Sequence, residues 1–116
     1  WMSRFDGGPK PATKIDEVIH DDFAALARER EATDARIVTW AETLTADWLA
    51  SMLEWKSGID GRVRRLPHWV VVTQMFNHQT HHRGQVTTLL KQLGRDPGET
   101  DIPWLPGLGV LVGGET

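Results

Sequence analysis

Three of the chain's five histidines lie in one short segment, NHQTHHRGQ (77–85). His78 and His82 are four residues apart, which on an α-helix places them one turn apart on the same face. Two neutral imidazoles at that spacing can bind one divalent metal ion at about 2.0–2.1 Å each. In the other interpretation, both rings are buried and hydrogen-bonded to neighbouring helices. The spacing leaves both interpretations open.

The segment has the histidine spacing of the zinc-protease motif H-E-x-x-H but lacks its general base. Gln79 stands at the position of the glutamate, and an amide has no carboxylate to accept a proton. His81 lies about 100° around the helix from His82, so it points to the flank. If the pair binds a metal ion, these residues therefore predict a metal platform without protease chemistry.

The element that must position the histidines is a long helical pattern from Pro67, suited to a first turn, to Gly94, suited to the C-cap. One apolar stripe recurs at steps of three and four along it, at Val71, Met75, Val86, Leu89 and Leu93. The stripe also passes through His78 and His82. We therefore expect both imidazoles to face the core.

Two ligands are too few for a firm site, because catalytic zinc usually takes three protein ligands and a water. His68 lies about 15 Å from His78 along the helix axis, too far to reach the same ion. His20, beside Asp21 and Asp22, is expected at the surface. The sequence therefore offers no good third ligand.

The length, net charge and cysteine count of the chain exclude several classes of protein. The 116 residues suit one small domain (1–116), and the net charge of -3 gives no support to nucleic-acid binding. The absence of cysteine excludes disulfides and thiolate ligands and fits a cytoplasmic protein. No apolar run reaches the roughly 18 residues of a membrane span.

The other elements are predicted to be helical, apart from one hairpin and the tail. WMSRFDGG (1–8) has the pattern of a helix end. A second helix is predicted with Thr13 as N-cap, and its apolar positions are Ile15, Ile19, Phe23, Leu26, Ile37, Trp40 and Leu44. The turn signal Asp60–Gly61 predicts a short extended or hairpin segment before the last helix. Residues 95–116, rich in glycine and proline, are predicted to be an irregular tail.

The segment FNHQTHHRGQVTTLLKQLGRDPGETDIPWLP (76–106) resembles the C-terminal helix and tail of the DinB/YfiT-like family. WMSRFDGGP (1–9) resembles the end of that family's second helix and the loop after it. The resemblance implies an all-α fold, the up-down-down-up four-helix bundle, here lacking the first helix and most of the second. Such a truncation would expose helix faces, so we expect the chain to be marginally stable alone or to recruit a partner.

The resemblance also implies a divalent metal ion, with zinc or nickel the expected metals, held by three histidines. Two of these map onto His78 and His82, and the third is expected upstream of residue 1. Arg83 and Gln85 are candidates to contact substrate or a neighbouring helix, and the alternative for Arg83 is a salt bridge at the surface.

Family members with known activity resemble transferases or isomerases that use low-molecular-weight thiols, whose pKa a metal lowers. The resemblance further implies a homodimer and a thiol or other small-molecule substrate, while the net charge and the apolar run lengths predict neither nucleic-acid nor membrane partners. The alternative is a non-catalytic, stress-related helical interaction module with structural histidines.

Overall fold

The computed structural model describes residues 1–10 and 17–105, and this part of the chain is mostly helical, with one small two-stranded sheet. The elements in chain order are α1 (Met2–Phe5), α2 (Phe23–Ala41), α3 (Ala46–Ala50), β1 (Met52–Lys56), β2 (Val63–Pro67), α4 (His68–Gln92) and a 3₁₀ turn (Ile102–Trp104). The predicted helical class is confirmed at this level. The chain divides into two compact units, residues 1–75 and 76–116, with the boundary inside α4.

The core of the first unit combines aliphatic side chains with packed aromatic rings. Its buried apolar residues are Met2, Phe5, Trp40, Val71 and Met75. Phe5 stacks on Trp40 with ring centroids 5.2 Å apart, and Trp48 meets Trp40 edge-on at 5.9 Å. Burying each large side chain contributes about 1.5–3 kcal/mol. This packing holds α1, only four residues long, against α2 and the start of α4.

The second helix begins later than predicted. Thr13, the predicted N-cap, lies outside the described residues, and residues 17–20 are not helical. Asp22 is the observed N-cap, and its carboxylate accepts a hydrogen bond from the Ala25 backbone N–H at 2.8 Å. A carboxylate that caps one of the helix's unpaired N–H groups fixes the start at that residue.

Burial along α2 follows the predicted stripe only near its C-terminus. Trp40 is buried and Ile37 is half-buried, whereas Phe23 and Leu26 are exposed, as is Ile19 before the helix. An apolar stripe indicates which face of a helix seeks cover, but burial also requires an element packed against that face.

The predicted hairpin is confirmed. β1 and β2 pair antiparallel, with Met52 opposite Pro67 and Lys56 opposite Val63. Gly61 in the turn has φ +68°, a left-handed conformation that favours glycine. The Asp60 carboxylate accepts from the Arg62 backbone N–H, and this hydrogen bond is the largest cause of its lowered pKa. The turn chemistry therefore fixes the register of the two strands.

The long helix α4 has 25 residues and ends as predicted. Gly94 adopts φ +69°, and the Arg95 N–H donates to the Leu90 carbonyl at 2.9 Å, which is the Schellman arrangement. The described part of the tail after it is largely exposed and contains only the 3₁₀ turn. Among the described helices, none combines the length and apolar character needed to cross a membrane.

Candidate metal-binding histidine pair

His78 and His82 project from α4 with their ring nitrogens converging. The two Nε2 atoms are 3.0 Å apart, and the ring planes are inclined by 83°. Two imidazoles sharing one tetrahedral ion at 2.0–2.1 Å have nitrogens roughly 3.3 Å apart. The observed separation therefore requires a movement of only a few tenths of an ångström to admit an ion. Without metal, it fits a hydrogen bond between the rings.

Gln85 orients one member of this pair. Its side-chain oxygen lies 2.8 Å from Nδ1 of His82. When the Nδ1–H donates to that oxygen, the proton is fixed there, and the neutral ring presents the Nε2 lone pair to His78. The sequence predicted a contact from Gln85 to substrate or to a neighbouring helix, and the structure places it on His82.

His81 and Arg83 have different surroundings. The His81 ring centroid is 6.1 Å from that of His78 and 5.3 Å from that of His82, and the His81 side chain is exposed. The Arg83 guanidinium donates to the Thr80 hydroxyl at 2.8 Å, on the same helix. Of these three histidines, His78 and His82 are the pair whose Nε2 atoms lie 3.0 Å apart.

The expectation that the histidine pair faces a packed core is wrong in this structure. Val71 and Met75, earlier on the stripe, are buried, but His78 and His82 are exposed. Beyond them on the same stripe, Val86, Leu89 and Leu93 are also exposed. The physical reason is a missing cover, because the described residues of the second unit after α4 form a largely exposed tail.

His68 has a structural role that the sequence reasoning missed. Nδ1 of buried His68 lies 3.0 Å from both the backbone carbonyl oxygen and the hydroxyl oxygen of Ser51. Because the Ser51 hydroxyl donates its proton to the Trp48 carbonyl, the His68 Nδ1–H is the donor in the contact with Ser51. The ring also packs on Trp48 with centroids 4.0 Å apart. The hairpin register could have indicated this contact, because pairing Met52 with Pro67 places Ser51 opposite His68.

No further ligand joins the histidine pair within residues 1–10 and 17–105. There, no group of three or more His, Cys, Asp or Glu side chains could hold a metal ion. The remaining segments, 11–16 and 106–116, contain neither histidine nor cysteine. His20 is half-buried and outside any such group. Within the described part of the chain, the pair is thus a two-nitrogen platform.

The first unit contains a separate cavity of about 480 Å³, within the range of ligand pockets. Phe5, Trp40 and Trp48 form its apolar wall, and an ion pair lies beside them. Arg36 donates from two nitrogens to the Asp6 carboxylate at 2.6 and 2.7 Å. This hydrogen bonding is the largest cause of the lowered pKa of Asp6. The sequence did not predict this pair, whose members are far apart in the chain.

Fold and site together define a mostly helical protein with a converging histidine pair on its longest helix. The model of the DinB family matches residues 1–108, and the chain therefore belongs to the DinB family. The resemblance drawn from the sequence is confirmed. No curated protein and no solved structure matches the chain.

Proposed function

We propose that this DinB protein binds a divalent metal ion through Nε2 of His78 and of His82. The observation that carries the proposal is the 3.0 Å approach of these two atoms, with the Gln85 side-chain oxygen 2.8 Å from Nδ1 of His82. Neutral imidazole pairs suit zinc and nickel, which are the proposed metals.

The proposed fold is the up-down-down-up four-helix bundle that the family resemblance implies. Bundles build metal sites from side chains on facing helices, with the ligands surrounded by apolar residues. The arrangement along α4 supports this, because the histidine pair lies between buried Val71 and Met75 and exposed Val86 and Leu89 on one stripe. The third histidine would come from a helix that precedes the position matching Trp1.

The proposed reaction class is a transferase or isomerase that uses a low-molecular-weight thiol. A bound divalent ion would supply Lewis acidity, which lowers the pKa of a coordinated thiol. The chain's own residues would then have simple tasks. His78 and His82 hold the ion, while Gln85 keeps the proton of His82 on Nδ1, away from the metal. We place this activity in the cytoplasm, which the cysteine-free sequence supports.

A second candidate is a non-catalytic helical interaction module, and one observation favours it. The Nε2 separation is itself a good hydrogen-bond distance, so the two rings satisfy each other without metal. The exposed apolar residues of α4 would then serve a protein partner.

Metal content of the purified chain distinguishes the two candidates. The chain and three variants, His78→Ala, His82→Ala and His81→Ala, are loaded with zinc or nickel, desalted and measured by elemental mass spectrometry. His81→Ala is the matched control, since it removes an exposed imidazole from the same turn. We expect the first two variants to lose the metal and the control to keep it. Equal metal content in all four proteins, or none in the unaltered chain, would exclude metal binding by His78 and His82.

A further inference from the structure

The cavity of about 480 Å³ in the first unit has a corner built from three aromatic rings. Phe5 and Trp40 stack with their ring planes inclined by 13°, and Trp48 meets these two rings edge-on, at 86° and 76°. Phe5 and Trp40 are buried and Trp48 is half-buried, so packing in the core fixes the corner. A fixed aromatic wall suits a flat aromatic ligand, because aromatic rings pack against one another at preferred angles.

The ion pair that lines the same cavity has its carboxylate occupied and its guanidinium only partly used. The Asp6 carboxylate accepts hydrogen bonds from two nitrogens of Arg36 and from the Gly8 backbone N–H. A guanidinium has five N–H donors, and Arg36 spends two of them on Asp6. The Arg36 side chain is 40% exposed, so a ligand can reach it. The pair therefore offers donors to a ligand and leaves the carboxylate engaged.

We propose that this cavity binds a small aromatic carboxylate, with its ring against the aromatic corner and its carboxylate on the free donors of Arg36. A planar guanidinium binds a carboxylate through parallel, charge-assisted hydrogen bonds. A cationic ligand is disfavoured because the charge of Asp6 is already neutralised by Arg36. The histidine pair belongs to the other unit, so the inference does not depend on the proposed metal.

The first test compares ligands of one shape and different charge. The probe is 2-naphthoate, titrated into the 116-residue chain by calorimetry at neutral pH, with a chelator present so that no metal binds the carboxylate. The comparison compounds are 2-naphthamide, 2-naphthylmethylammonium and acetate. We expect 2-naphthoate to bind at least about tenfold more tightly than each of them, because only it combines the rings with an anion for the guanidinium.

The second test removes the proposed anion-binding group. We expect Arg36→Gln to weaken 2-naphthoate binding by at least about tenfold and to leave 2-naphthamide binding nearly unchanged. Arg30→Gln is the matched control and should bind 2-naphthoate like the unaltered chain. Arg30 lies on the same helix and also pairs with an aspartate, Asp34, but does not line the cavity.

A third variant separates ligand binding from the structural role of the ion pair. Asp6→Asn breaks the ion pair as Arg36→Gln does, but it keeps the guanidinium and removes the negative charge that opposes the ligand. We therefore expect Asp6→Asn to bind 2-naphthoate at least as tightly as the unaltered chain. Nuclear Overhauser contacts from the naphthoate protons to the indole protons of Trp40 and Trp48 locate the ligand in the cavity.

Four results would overturn the inference and leave the proposed metal binding untouched. Equal affinity for 2-naphthoate and 2-naphthamide, or tighter binding of the ammonium compound, would show that the cavity does not select a carboxylate. Equal weakening in Asp6→Asn and Arg36→Gln would show that the ion pair only holds the fold. No binding of 2-naphthoate to the unaltered chain at millimolar concentration would exclude the site. Contacts of the bound ligand with neither Trp40 nor Trp48 would place it elsewhere.

Discussion

At the residue scale, the side-chain oxygen of Gln85 lies 2.8 Å from Nδ1 of His82, one member of the histidine pair. A neutral imidazole has one protonated and one free nitrogen, and a hydrogen bond donated from Nδ1 of His82 to Gln85 would leave its Nε2 free to bind a metal ion. Such hydrogen bonds to metal-binding histidines typically change metal affinity by about 10–100-fold. We therefore propose that Gln85 is a positioning residue for His82.

Removing that hydrogen bond tests this role. We expect Gln85→Ala to weaken zinc or nickel binding by about 10–100-fold, because both tautomers of His82 become accessible. A competition titration against a coloured chelator measures the change. Gln92→Ala is the matched control, an exposed glutamine on the same helix, and should bind like the unaltered chain. Equal affinities for the two variants would count against the positioning role.

The ion pair between Asp6 and Arg36 predicts a pH-dependent contribution to stability. The pKa of Asp6 is lowered from 3.8, chiefly by the Arg36 hydrogen bond, so its stabilisation is fully present above that value and is lost as the pH falls below it. Asp6→Asn should therefore lower the melting temperature near neutral pH and have a diminishing effect as the pH falls below about 3.8. Thermal unfolding followed by circular dichroism across this range measures it.

Asp34→Asn is the control for this prediction. Asp34 pairs with Arg30 one turn away on the same exposed helix face, so its loss should change the melting temperature little at any pH. A loss for Asp6→Asn that persists unchanged in strong acid would mean that the ion pair is not its cause.

At the scale of elements, the sequence predicted the boundaries where the local chemistry is strong. The glycine after α4 and the Asp60–Gly61 turn lie where predicted, because positive φ and side-chain capping are local demands. It failed at the start of α2, where the Asp22 cap sets the first residue. The sequence also did not predict which half of the apolar stripe on α4 is covered. The spacing of apolar residues identifies one face of a helix but not the element that packs on that face.

The two halves of the stripe should respond differently to truncation. Met75 is buried, so Met75→Ala should lower the free energy of unfolding by about 2–5 kcal/mol. Leu89 is exposed on the same stripe, so Leu89→Ala should change it by no more than about 0.5 kcal/mol. Urea unfolding with metal removed measures both. Comparable losses in the two variants would mean that the second half of the stripe is packed.

At the scale of the whole molecule, the family and the helical class were predictable from the sequence, and the chemistry of the site only in part. The i, i+4 spacing predicted that His78 and His82 share a face, and the structure places their Nε2 atoms 3.0 Å apart. The hydrogen bond from His82 to Gln85 depends on rotamers that no spacing rule specifies.

Metal binding should also raise the stability of the folded chain. A ligand that binds the folded state alone adds about 2.7 kcal/mol at a free concentration one hundred times its dissociation constant. We therefore expect zinc to raise the melting temperature of the unaltered chain and of His81→Ala, and to leave that of His78→Ala unchanged. A matching rise in His78→Ala would indicate a different binding site.

The most direct measurement of the central claim is ¹⁵N nuclear magnetic resonance of the histidine side chains during a zinc titration. Before metal, the account predicts that His82 carries its proton on Nδ1, beside Gln85. On adding zinc, the Nε2 resonances of His78 and His82 should shift together and saturate at the same metal concentration, while His81 and His68 stay unchanged. Zinc-induced shifts confined to other histidines, or different saturation points for His78 and His82, would contradict the shared metal site.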